Sequence, residues 1–194
     1  MTDACRRVGA AGTYEHSELV TCAKPLGSRV YMISIQFFPI FEDKKITDAV
    51  NEYQAIWNKE GARIVETLQR LAGLSFLEDH ISVVIYEGTS FSGRTIDDVM
   101  KLRASYNTDV KKGTIIHELS HRLLFNLKNV PDIDSHKIIN LFLYDVWVDL
   151  YGEDFATQMV EVEKKRAENY IIAWNEVLAL TREQRAEKFL EYLK

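Results

Sequence analysis

Cysteine is scarce in this 194-residue chain: Cys5 and Cys22 are the two present, both near the start. Two thiols cannot build a four-thiolate zinc site or a dense disulfide scaffold. The three prolines mark changes of direction, Pro25 in a mixed N-terminal stretch, Pro39 at the end of a β-rich run and Pro131 in a polar connection. A long apolar run is also lacking; nothing approaches the roughly 18 uninterrupted apolar residues of a membrane span. The opening Met1-Thr2-Asp3-Ala4-Cys5-Arg6-Arg7 has no apolar core of a secretory signal. Positive charge is in deficit, with a net charge of −5. Lys111-Lys112 and Lys164-Lys165-Arg166 are short, flanked by acids, and read as solvated faces rather than phosphate-binding patches. These absences argue against nucleic-acid and membrane partners, and the expectation is a reduced, cytoplasmic protein.

What is present suits one globular domain, since 46% of the residues are hydrophobic and the length allows a substantial core. Residues 1–29, with Gly9, Gly12, Gly27 and Pro25, show no clear period and read as an N-terminal arm, in which His16 is a surface histidine. Residues 30–194 form the expected single domain. A β-branched and aromatic run over 29–38 predicts a strand, and 46–71 switches to a helical period ended by Gly73. Residues 80–86 predict a second strand. The stretch 99–106 alternates like a strand but could also be a helix end; as a strand it would be either an ordinary core strand or a sheet edge for an extended peptide. The loop 126–134 precedes a helix capped by Asp134 or Ser135 and running to Tyr151, with Gly152 as a bend. A further helix is expected over 153–180. Thr181-Arg182-Glu183-Gln184 then spells a capping box for a last helix over 186–193.

The chemistry concentrates in Gly113-Thr114-Ile115-Ile116-His117-Glu118-Leu119-Ser120-His121. This is His-Glu-x-x-His within an apolar-periodic run for which Thr114 is the expected N-cap. Residues four apart share a helix face, so His117 and His121 can bind one zinc ion, with Glu118 reaching a metal-activated water as general base. Zinc lowers the pKa of such a water to about 7. A catalytic zinc needs a third protein ligand. The next helix offers His136, Asp145 and Asp149. The two aspartates are four apart among Leu143, Val146, Trp147, Val148 and Leu150, where an isolated carboxylate is costly and calls for a partner. His136 lies nine residues before Asp145, on the opposite side of an ideal helix, and reads as lying at the cleft mouth or helix N-terminus rather than as a ligand.

Tyr144-Asp145-Val146-Trp147-Val148-Asp149-Leu150-Tyr151-Gly152 resembles the downstream signature of the gluzincins, the thermolysin-like zinc metallopeptidases, in which Glu-x-x-x-Asp follows the His-Glu-x-x-His helix. The resemblance spans about residues 100–156. It implies Asp145 as third zinc ligand and Asp149 as the acid that braces a histidine. Gluzincins carry glutamate at the position of Asp145. Aspzincins do use aspartate, and similarity to them would favour Asp149 instead, though its spacing to Tyr151-Gly152 is a residue short. The four-residue pair favours Asp145, because it accounts for both acids.

The resulting expectation is an α+β, zincin-like metalloprotease fold, with a small twisted sheet, an active-site helix and a predominantly helical C-terminal half. It would hydrolyse peptide bonds in a peptide or protein substrate through Zn2+ held by His117, His121 and Asp145. Tyr170, Tyr151 and Arg122 are candidates for stabilising the oxyanion. Two other readings compete: an inactive zinc-binding module that recognises a protein partner, and a metal-free interaction protein that docks through amphipathic helices in 153–194.

Overall fold

The structure, a computed structural model, describes residues 33–127 and 135–194. The expected arm over 1–29 and most of the expected loop over 126–134 lie outside the described residues. Strand β1, Ser34–Pro39, buries Ile35 and Phe37 and exposes the residues between them, the period-2 pattern of a half-buried strand. Helix α1, Lys44–Ala72, starts where the Asp43 carboxylate accepts from the amides of Lys45 and Ile46, at 2.8 and 3.1 Å. It ends at Gly73, whose φ of 63° is the left-handed C-cap that glycine adopts at low cost. Its buried stripe of Ile46, Tyr53, Ile56, Ile64 and Leu68 lies on the sheet and the later helices.

Strand β2, His80–Tyr86, and strand β3, Met100–Arg103, complete a parallel three-stranded sheet of order β1-β2-β3. The ambiguous stretch 99–106 therefore resolves as a short strand followed by a turn. Beyond β3, Phe91 makes an antiparallel bridge: its amide donates to Lys101 O at 2.9 Å and its carbonyl accepts from Lys101 N at 2.8 Å. The β3 edge considered for a peptide is thus occupied at Lys101 by the chain's own segment.

Helix α2, Thr108–Leu124, is capped seven residues before the expected Thr114, at Asn107, whose side chain accepts from Val110 N at 2.9 Å. The Lys111-Lys112 pair, expected as a solvated face, belongs to this first part. Lys111 is buried and ion-paired with Glu52, and Lys112 pairs with Glu60 at 3.3 Å. Gly113 is no boundary; a Cβ there would collide with Met159 Sδ, so its lack of a side chain sets how closely a later helix approaches.

Helix α3, Ser135–Tyr151, is apolar almost all round, with Ile138, Ile139, Leu143, Val146, Trp147 and Leu150 buried, and it touches α1 and α2 together with the three helices that follow. Each such side chain removed from water contributes about 1.5–3 kcal/mol, so α3 is the axis of the helical half. The expected helix over 153–180 is two, α4 over Glu153–Lys164 and α5 over Glu168–Leu178. No glycine or proline marks the break at 165–167; the chain turns there so that α5 packs back on α3 and α4. Helix α6, Arg182–Glu191, starts at the expected capping box, with both Thr181 and Gln184 bonds formed. The architecture is α+β, a small parallel sheet and six helices among the described residues. No helix among those residues is long and apolar enough to cross a membrane.

Candidate metal centre

One turn of α2 separates His117 from His121, and packing of α2 between the sheet and α3 leaves this face turned to a cavity. Their Nε2 atoms are 3.2 Å apart. Two nitrogens on one tetrahedral zinc, each at about 2.0–2.1 Å, stand about 3.3 Å from one another, so the pair already has the spacing of a shared ion. His136, in the first turn of α3, brings a third imidazole, its ring 5.4 Å from that of His117 and 5.0 Å from that of His121. One nitrogen from each of the three lies within 4.8 Å of the others.

The acids on α3 lie elsewhere. Asp145, expected as third ligand, accepts a fork from Arg185 of α6, Nε to Oδ2 at 3.0 Å and Nη2 to Oδ1 at 2.6 Å, both side chains buried. Asp149, expected to brace a histidine, accepts two bonds from Arg182, at 2.8 and 2.9 Å, and one from Arg70 at 2.9 Å. The reason is helical phase. Nine residues at 100° apiece place Asp145 half a turn round from His136, so once His136 faces the cavity the aspartates face α6. This half-turn offset is written in the spacing of His136 and Asp145; which of the two faces meets α2 is not.

The bracing carboxylate comes from α4. Glu163 Oε1 stands 2.5 Å from His117 Nδ1, an ion-pair distance without the alignment of a linear hydrogen bond, and Oε2 accepts from Trp174 Nε1 at 2.9 Å. A carboxylate on Nδ1 leaves Nε2 as the ligand atom and raises its basicity. Burial pushes His117 down, but the Glu163 carboxylate, then Glu118, outweigh it and hold the imidazole above its ordinary value. Glu163 is the mirror case: burial would raise it, and the charge of His117 with its neighbours holds it low. His121 is driven well below the ordinary histidine value by burial and by the two imidazoles beside it, which keeps it neutral and fit to coordinate. Nothing in the sequence pointed to Glu163, which lies in a charge-rich segment that reads as a helix surface.

Glu118 is buried and lines the same cavity of about 900 Å³. Burial raises its carboxyl, against the opposing pull of His117 and Arg166. Of the oxyanion candidates, Tyr170 alone lines the cavity, its ring 4.2 Å from that of His136. Tyr151 packs on Phe155, with ring centroids 4.5 Å apart, and Arg122 is engaged with backbone carbonyls. The opposite wall is the segment from Thr89 to Ile96, with Leu77 and Phe125 closing the end. Three converging imidazoles, one braced by a carboxylate, beside a buried acid form a donor set that fits a divalent transition metal. No known protein family, curated protein or solved structure matches this chain.

Proposed function

We propose that this protein is a zinc-dependent peptide-bond hydrolase of zincin-like type, with His117, His121 and His136 as the metal ligands and Glu118 as general base. The observation that carries the reading is the convergence of three imidazoles on one point beside Glu118, inside a cavity large enough for a peptide segment. An all-nitrogen set from three histidines suits zinc and leaves a coordination position open for chemistry. A bound ion supplies Lewis acidity and a water acidic enough to ionise near neutral pH. Glu118, buried at the cavity wall beside His117, would serve as the general base toward an attacking water and as the acid toward the leaving amine. Tyr170 donates its hydroxyl to the substrate carbonyl oxygen as charge develops there. Glu163 keeps the His117 ring in one orientation through the cycle, and Trp174 keeps Glu163 in place. The substrate backbone runs between the α2 face and the 89–96 wall.

Glu118→Gln tests this, because it keeps the shape and removes the base. Turnover of a fluorogenic peptide library by zinc-loaded protein is expected to fall by about 10²–10⁴-fold, with zinc content unchanged. Equal processing by wild type and Glu118→Gln would remove Glu118 as the base, and no turnover by either when fully loaded would favour an inactive metal-binding module.

A further inference from the structure

Arg122 follows the second histidine of α2, and its side chain is 1% exposed. A charge buried so deeply needs partners, and the cavity wall supplies them. Nη1 donates to the carbonyls of Thr95 and Ile96, at 3.0 and 3.1 Å, and Nη2 donates to Asp98 O. Glu78 balances the charge, its Oε1 3.4 Å from Nη1, and the guanidinium lies 5.6 Å from the centre of the Phe125 ring. From the other side, Asp98 Oδ2 accepts from the amides of Arg94 and Thr95, at 2.7 and 3.1 Å. Gly93, at φ 98°, makes the reversal that closes this loop, and a Cβ there would come within 2.8 Å of Asp98 Cβ. Gly93, Arg94, Thr95 and Ile96 are themselves part of the wall that faces His117 and His121.

We propose that Arg122 is a positioning residue: it fixes the 93–98 wall at a set distance from the metal centre and so determines the width of the cleft that a substrate enters. Wall and ligands are referenced to the same turn of α2, and only a planar fork spans three carbonyls this way, which a lysine ammonium on one stem does not. The kinetic consequence rests on the hydrolytic reading above; the structural consequence does not.

Two variants approach the contact from opposite ends, Arg122→Gln from the helix and Gly93→Ala from the loop. Hydrogen exchange is read at the amides of Arg94, Thr95 and Asp98, and zinc affinity by competition with a chromogenic chelator. Losing hydrogen bonds to a charged group is expected to speed exchange at those amides by about tenfold or more, with α1 unchanged. Zinc affinity is expected to stay within about threefold of wild type, since no metal ligand or brace is touched. With a fluorogenic peptide, KM rises by about tenfold while kcat is largely kept, the mark of lost ground-state binding. Unchanged exchange at 94–98 in Arg122→Gln, or a loss of zinc that parallels the loop's opening, overturns the proposal. Should Arg122→Gln not fold, Arg122→Lys, which keeps the charge and not the fork, decides in its place, with Gly93→Ala as the reference for an opened loop. Should wild type show no turnover, exchange and zinc affinity still decide, and only the hydrolytic reading fails.

Discussion

At the scale of single residues, the separation between ligand and structural charge decides the chemistry. Glu163 and Asp145 are both buried carboxylates, and their partners differ in kind: an imidazole and an indole for the first, a guanidinium fork for the second. Glu163→Gln is therefore expected to weaken zinc binding by about 10–100-fold, the usual cost of losing a brace on a ligating histidine, as read by competition titration. Asp145→Ala should act on stability instead. It leaves Arg185 buried and unpaired, at a cost of about 3–5 kcal/mol in urea unfolding. The spelling His117-Glu118-Leu119-Ser120-His121 told where two imidazoles and a carboxylate would lie, because one turn of helix fixes their mutual placement. The third imidazole, from His136, depended on how two helices meet, and the apolar setting of Asp145 advertised a need for a partner without saying whether it would be a metal or Arg185.

At the scale of elements, α6 is fastened to α3 by the Arg185 and Arg182 pairs, with Arg70 of α1 joining at Asp149. The bond from Arg182 is the largest influence on the Asp149 carboxyl; burial opposes it, and the bond from Arg70 with the charges of both arginines leaves the group below the usual carboxylate range. A lowered folded value means the stabilisation is complete above the unfolded carboxyl value of about 3.9 and disappears as pH falls through the folded one. Urea unfolding should thus find Asp149→Asn less stable than wild type at neutral pH, with the gap closing as pH drops below about 4. A gap that stays constant with pH would mean the clamp adds nothing through charge. The existence of an element was legible at this scale where a period or cap was written out, as in α1, β2 and the Thr181 capping box. The division of 153–180 into α4 and α5 was not, since no breaker residue occupies 165–167; packing of Trp174 against Trp147, with ring centroids 5.6 Å apart, and its bond to Glu163 require the fold-back.

For the whole molecule, the candidate centre joins three consecutive helices: α2 supplies two imidazoles, the start of α3 the third, and α4 the carboxylate beside His117. The sheet and α1 contribute no ligand; they bury α2 from behind, and the 89–96 segment, bridged to β3 through Phe91, turns this side of the molecule into a cavity. The apolar period foretold an α+β chain with a helical second half, whereas the gluzincin resemblance pointed to Asp145, on the face of α3 that turns to Arg185 rather than to the histidine cluster. The direct test is zinc stoichiometry and affinity measured by elemental analysis and chelator competition for wild type, His136→Ala and Asp145→Asn side by side. The account predicts one zinc per chain in wild type and in Asp145→Asn, with affinity lost in His136→Ala. Zinc retained by His136→Ala and lost from Asp145→Asn would contradict it.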